Sequence, residues 1–328
     1  MTGGASGTTT SLLSMGVRLL VILAQVAVMV TIAPVVAGIT RQTRARVEGR
    51  AGAGVLQPWR DVRKLLAKRP VRAAGTSWVT TAAPVVLLVA SLLLAALVPL
   101  VAGVPLPLVP DDLFVVVSVL LLGTVALALL GLDAGSAFGG MGSSRHMTIA
   151  ALVEPTVLMA VYALSIPVGS STLSLIVTAR RDDPASIASP AGVLGVVALA
   201  VVVLAETGRL PVDNPATHLE LTMVHEAMVL ETSARDLAWV EVASWLRLAV
   251  LIGLVGNLIL PWGVATDLTL TAVLLGVVAI TVKIGILAAL LGAAEVGLAK
   301  LRLFRVPELL AGSFVLAFLA VTASYLVV

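Results

Sequence analysis

Cysteine is absent from all 328 residues, so the chain can form no disulfide and hold no cysteine-ligated iron–sulfur cluster. If it serves a redox system, the electrons travel elsewhere. Charge is scarce too: Asp, Glu, Lys and Arg make up 12% of the sequence, against about 25% in a soluble domain. Residues 1 to 10 contain no Lys or Arg, which removes the basic start of a signal peptide and leaves the first apolar run as a retained helix. Of the three histidines none sits in an HExxH spacing, and His218 and His225 stand two turns apart, too far to chelate one ion on a short helix. No metal site and no catalytic residue is expected.

What is present is apolar. Hydrophobic residues reach 59% and the mean hydropathy is +1.10, values of a polytopic membrane protein. Long apolar runs fit spanning helices, and the short alternating segments of a barrel are missing. The expectation is an all-α fold, one transmembrane domain over 1–328, with eight spans near 12–39, 78–102, 112–132, 147–168, 191–207, 239–260, 268–296 and 307–327. The basic pI of about 9.7 reflects residues beside spans rather than a nucleic-acid surface.

Between the first two spans Arg41, Arg44, Arg46, Arg50, Arg60, Arg63, Lys64, Lys68, Arg69 and Arg72 face only Glu48 and Asp61. Such an excess belongs on the cytoplasmic side of the cell membrane, which places both termini outside and the later basic loops inside, with Arg180 and Arg181 as outside exceptions. Within 55–69, Val55, Leu56, Trp59, Val62, Leu65 and Leu66 recur at helical spacing against Arg60, Arg63, Lys64 and Lys68. That pattern describes an interfacial amphipathic helix, either a lipid anchor or a docking platform for a soluble partner. The glycine-rich run after the third span, GLDAGSAFGGMGSSRHMT, lacks the Lys-Ser/Thr ending of a phosphate loop and reads as a flexible linker or a close-packing site.

Glu154, Glu206, Glu241, Arg247, Lys283 and Glu295 lie in or at the ends of apolar spans, where an ionisable group is costly and by default marks a functional site. Glu154 could instead pair with Arg145 or cap carbonyls freed by Pro155. Glu241 and Arg247 do not share a helical face, so each needs a partner from another helix. Lys283 and Glu295 are about 18 Å apart along one helix and about 120° apart around it, so Lys283 must find an acid elsewhere or face water. A hydrated proton or ion path is the economical explanation for so many costly groups.

The stretch 206–236 gathers Glu206, Asp213, Glu220, Glu226, Glu231 and Asp236 with His218 and His225 between two spans. Pro211 and Pro215 break the helix, and a new one capped by Asn214 and running to Glu231 would set Glu220, Val224, Ala227 and Glu231 on one face. Leu219, Leu221, Met223, Met228, Val229 and Leu230 require that this helix packs on something.

These residues carry a resemblance. ETGRLPVDNPATHLELTMVHEAMVLE, together with GAGVLQPWRDVRKLL, LDAGSAFGGMGSSR, the Glu154–Pro155 pair and AKLRLFRVPELL, resembles the membrane subunit of formate-hydrogenlyase-type, group 4 membrane-bound nickel–iron hydrogenase complexes. That family is similar in turn to subunit 1 of respiratory complex I. The resemblance implies a membrane foot for soluble redox subunits and a link from redox chemistry to ion translocation. Glu206, Arg209, Pro211, Asp213 and Glu220 match the family's ETxRxPxDxxxxxxE frame, and Glu231 matches the acid that opens its Glu-Tyr-Ser-Gly. Arg209, Asp213, Glu220 and Glu231 thereby become the acidic coupling loop, and Arg50, Gln57, Trp59, Asp61, Lys64, Arg145, Arg302 and Arg305 the candidates for partner docking.

The chain also departs from the family. Two acids of the complex I loop are Ala216 and His218 here, which favours the hydrogenase branch and speaks against a quinone site. Thr232 and Ala234 replace the Tyr and Gly, the proline of Arg-Gly-Pro-Gly is missing after Arg50, and His146 stands where an acid often follows Ser-Ser-Arg. No cofactor is expected in this chain; iron–sulfur clusters belong to the implied partners, with a nickel–iron site as a further option. Those partners are soluble hydrogenase-like large and small subunits, an iron–sulfur subunit, antiporter-like membrane subunits and the lipid bilayer. The rival readings are a stand-alone secondary cation transporter and a purely structural anchor.

Overall fold

The computed structural model describes residues 4–103, 111–213, 223–302 and 305–327, with side chains from residue 15 to residue 326. Helices account for 78% of the chain, and no strand occurs among the described residues. In a bilayer the backbone must satisfy its own hydrogen bonds, and the helix does this within each segment.

Among the described residues eleven α-helices follow in chain order: α1 (Gly4–Val47), α2 (Gln57–Leu66), α3 (Val79–Leu97), α4 (Leu113–Asp133), α5 (Ala137–Ser165), α6 (Leu173–Asp182), α7 (Pro190–Glu206), α8 (His225–Val229), α9 (Ala234–Ile259), α10 (Leu270–Gly297) and α11 (Val306–Val327). Seven are long and apolar enough to span a membrane, and α7, at 17 residues, is a shorter apolar eighth. The chain is a multi-pass membrane protein. At the centre stands α9, packed on α1, α3, α7 and α10. In its most apolar stretch 72% of residues are buried, against 33% in α1, α10 and α11, whose outer sides keep their apolar side chains for lipid.

Several boundaries differ from the sequence expectation. The first helix runs to Val47, so Arg41, Arg44 and Arg46 are helical rather than part of a loop. Likewise α5 starts at Ala137, and the glycine-rich run is helix, not linker. Its glycines permit close packing: a Cβ on Gly139 would meet the Gly131 carbonyl oxygen at 2.2 Å, and one on Gly142 would meet Ala227 at 2.9 Å. On the interfacial helix α2, Pro58 and Val62 are buried while Leu56, Trp59 and Leu66 stay exposed beside Arg60, Arg63 and Lys64. The stretch expected as a plain outer loop contains α6, where buried Arg180 donates 2.7 Å to Ser186 Oγ. The expected start of a helix at Pro215 lies outside the described residues, and α8 ends at Val229.

Beyond the end of α3, residues 98–103 are not helical, yet much of this stretch is buried. Gln25 Nε2 donates to the Ala95 and Val98 carbonyls at 2.7 and 2.9 Å, while its Oε1 accepts from the Leu100 and Val101 amides. Asn257 Nδ2 donates 3.0 Å to both the Pro99 and Leu100 carbonyls. Two side-chain amides thus stand in for the missing helical ladder, which membrane depth demands.

Candidate functional site

Arg247 on α9 is where buried charge converges. Its guanidinium is ion-paired with Glu206 at the end of α7 and donates 2.9 Å to the Leu120 carbonyl and 2.8 Å to Thr124 Oγ1 of α4. Glu154 on α5 lies in electrostatic range of Arg247, and its Oε1 is buried with no hydrogen-bond partner among the described residues. The alternative pairing with Arg145 is not formed, since Arg145 Nη1 donates 3.2 Å to the Met223 carbonyl instead. Glu154, Glu206 and Arg247, far apart in sequence, are therefore neighbours.

Two cavities flank this cluster. The smaller, about 60 Å³, is lined by Glu206, Asp213, His146, His225 and Arg247 against apolar walls such as Leu94 and Val212. The larger, about 360 Å³, is lined by Arg41, Arg44, Arg50, Arg209, Glu226, Glu241 and Glu295. It reaches the surface at Arg50, whose side chain is 69% exposed. Thr207, Gly208, His225 and Ser244 line both, so one thin wall separates them. Gly208, with φ +59°, makes the left-handed turn in that wall that a side chain would oppose.

In the larger cavity Glu295 on α10 pairs with Arg209 at 3.4 Å and Arg44 at 3.9 Å, and Arg44 also meets Glu48 at 3.0 Å. Burial pulls the Arg209 guanidinium down from its ordinary value, and the Glu295 carboxylate pushes it back up. Glu241, half-buried, is in electrostatic range of His225 and Arg41. Asp213 accepts from Lys300 Nζ at 2.7 Å and from the His225 amide at 3.2 Å, which fixes α8 and the approach to α11 against the loop.

Other expected site residues fall elsewhere. Lys283 meets no acid among the described residues; its Nζ donates 2.9 Å to Asn257 Oδ1 and lies 4.8 Å from the centre of the Trp262 ring. That neutral pair corrects the expectation of an acid or water, since an amide oxygen and an aromatic face both stabilise a cation without a counter-charge. Glu231 is exposed and lines neither cavity. Glu220 lies outside the described residues. Of the docking candidates, Gln57 donates to Asp61 at 2.9 Å, Trp59 Nε1 donates to the Thr31 carbonyl at 3.3 Å, and Lys64, Arg302 and Arg305 are exposed.

Sequence reasoning passes over His146, Arg44, Thr124 and Lys300 as members of the site. A histidine beside Arg145 inside a largely apolar helix is the available signal for the first. Among the described residues no group of three or more His, Asp or Glu side chains is placed to hold a metal ion.

Comparison with known proteins agrees with this architecture. The chain is 32% identical over 299 residues to formate hydrogenlyase subunit 4 of Escherichia coli (strain K12), covering 91% of this chain and 96% of that one. It is 31% identical to hydrogenase-4 component C of the same organism over 301 residues, 91% and 93% of the two chains. An NADH-quinone oxidoreductase subunit of Rickettsia bellii (strain OSU 85-389) matches at 29% over 169 residues, about half of each chain. Among solved structures, a chain of the membrane-bound sulfane sulfur reductase, an archaeal respiratory membrane complex, shares the fold with a TM-score of 0.77 at 17% identity, over 94% of this chain and 99% of that one. The family described as NADH dehydrogenase matches residues 19–326. The chain therefore belongs to the NADH dehydrogenase family, that of complex I subunit 1.

Proposed function

We propose that this chain is the non-redox membrane subunit of a hydrogenase, formate hydrogenlyase or complex I-like oxidoreductase, inactive alone, which docks a soluble redox arm and couples it to translocation of protons or sodium ions. The observation that carries this reading is the succession of ionisable groups from the surface cavity inward: Arg50, Glu295, Arg209, Glu241, His225, Arg247, Glu206 and Glu154. A charge change in a partner seated over the larger cavity would alter the balance of these pairs, because burial and neighbouring charges set which carboxylates hold a proton.

With no cysteine the chain offers no iron–sulfur ligand set, so the iron–sulfur clusters, and a nickel–iron site where the partner has one, are assigned to soluble large, small and iron–sulfur subunits. Antiporter-like membrane subunits would receive the coupling signal. The excess of Lys and Arg in the first connecting segment supports a cytoplasmic position for both cavities in the cell membrane, with the termini outside.

The test is Glu206→Gln in the intact complex, reconstituted in vesicles and followed for ion movement during electron transfer. The variant is expected to assemble with its partners and to lose coupled translocation. Full translocation by an assembled Glu206→Gln complex would count against the coupling role.

A further inference from the structure

The segment between α1 and α3 drops to the level of the apolar part of α1 and climbs out again. Gln42 holds its first part, its Oε1 accepting from the Gly54 amide at 2.9 Å and its Nε2 donating 2.9 Å to the Ala51 carbonyl. The Val55 carbonyl then lies against Gly38, and Trp59 Nε1 donates 3.3 Å to the Thr31 carbonyl. Thr31 stands ten residues, about 15 Å, before Arg41, the first cation after the apolar run of α1. Beyond α2 the chain returns to the start of α9, where the Val71 amide donates 2.8 Å to Ser233 Oγ and the Val71 carbonyl accepts from the same hydroxyl at 2.7 Å. Lys64, Lys68 and Arg69 lie between the low anchor at Trp59 and the high one at Val71.

The exposed side of α2 is sorted by chemistry. Pro58 and Val62 face the bundle. At 100° per residue the exposed Trp59 and Leu66 share one edge, about 20° apart, while the exposed Arg60 and Lys64 lie about 100° and 140° round from Trp59. Val71 and Trp78, 76% and 77% exposed, continue the apolar surface into the connector, and tryptophan favours the headgroup level of a bilayer. Arg60, Arg63, Lys64, Lys68 and Arg69 form no ion pair among the described residues, and Asp61, the acid on this helix, accepts from Gln57. The cations of the larger cavity differ, since Arg44 and Arg50 meet Glu48 and Arg209 meets Glu295. Five cations that the chain does not balance attract an anion from outside it. Beside apolar side chains at the level of Thr31, the matching anion is a phospholipid headgroup, because a soluble protein could not reach that depth.

We propose that α2 and the connector to α3 form a binding surface for anionic phospholipid, with Trp59 and Leu66 beside the acyl chains and Arg60, Arg63, Lys64, Lys68 and Arg69 on the phosphates. Long basic side chains suit this place, since their stems lie along apolar surface while the charge reaches the headgroups. Trp59 and Lys64, expected as docking residues for a soluble partner, are thereby assigned to lipid. The proposal stands apart from the coupling reading, because none of these residues lines either cavity.

The experiment uses the whole chain, which has no cysteine of its own, with one bimane fluorophore at Ala67→Cys, exposed beside Lys68. Leu290→Cys, exposed on α10, is the reference position. Each is reconstituted in phosphatidylcholine vesicles holding a rising fraction of spin-labelled phosphatidylglycerol, or of phosphatidylcholine with the same acyl-chain label. Quenching at Ala67→Cys is expected at a several-fold lower fraction of phosphatidylglycerol than of labelled phosphatidylcholine, with no such preference at Leu290→Cys. Lys64→Gln together with Lys68→Gln should reduce that preference by up to about fivefold for each charge removed. Lys68→Gln alone, beyond the end of α2, is read in the same assay should the pair fail to fold. Equal quenching by the two lipids at Ala67→Cys, no quenching there by either, or a preference that the Gln variants leave unchanged would overturn the proposal. In the complex purified from its own membranes the Gln variants should keep their soluble partners; loss of those partners gives this face to a protein and overturns it as well.

Discussion

Lys283 and Arg247 are both cations buried in the bundle, and they are stabilised in opposite ways. Arg247 has an acid as its direct partner, while Lys283 relies on Asn257 Oδ1 and the Trp262 ring. Asn257 serves twice, since its amide nitrogen also holds the Pro99 and Leu100 carbonyls. Asn257→Leu should therefore destabilise the protein by about 3–5 kcal/mol, because it strands a buried ammonium and frees two carbonyls at once. Adding Lys283→Met should recover part of that loss, and thermal unfolding of the single and double variants in detergent measures the coupling. From sequence, the cost of Lys283 is legible and its partner is not. An acid is the natural expectation, and only the way α10 crosses α9 brings an amide 26 residues away to the ammonium. The Glu206–Arg247 pair, 41 residues apart, has the same character: the apolar surroundings mark each group, and helix packing decides which groups meet.

The packing of α4, α5 and α8 carries the next level of prediction. Gly142 and Gly140 lie two residues apart on α5, yet a Cβ on Gly142 would meet Ala227 and the Val224 carbonyl within about 3 Å, whereas one on Gly140 would meet nothing within 4 Å. Gly142→Ala is expected to cost about 1–3 kcal/mol through overpacking under α8. Gly140→Ala should be neutral or stabilise by up to about 1 kcal/mol through helix propensity. Midpoints of thermal unfolding for the two variants separate these outcomes. As sequence, the glycine-rich run fits a linker and a close-packing site equally, because composition cannot separate them. The structure decides for packing, and the reason is local: Gly139 and Gly142 face neighbouring backbone and Ala227, while Gly140 faces open space. The eight apolar runs are legible because membrane depth imposes length and hydropathy on each. Their ends are less so, since α1 and α5 continue as amphipathic or glycine-rich helix beyond the apolar stretch.

At the scale of the whole molecule, the absence of cysteine makes orientation directly measurable. Arg60 on α2 and Arg181 on α6 are both exposed, and the topology proposed above, with basic segments inside, would put them on opposite sides of the membrane. A membrane-impermeant maleimide should label Arg181→Cys from outside intact cells, and label Arg60→Cys only in inverted vesicles. Labelling in the reverse sense would invert the topology and move both cavities to the outer face. One further property follows from the length of α1. Gln25, which clamps the non-helical end of α3, and Arg41, on the wall of the larger cavity, belong to the same unbroken helix, about 24 Å apart along its axis. Pro34 lies between them and fixes where the rod can bend. A tilt of the Arg41 end of α1 would reach the Gln25 clamp only as far as the helix stays straight at Pro34, so that one residue sets how much motion could pass along the rod without any charge crossing the membrane.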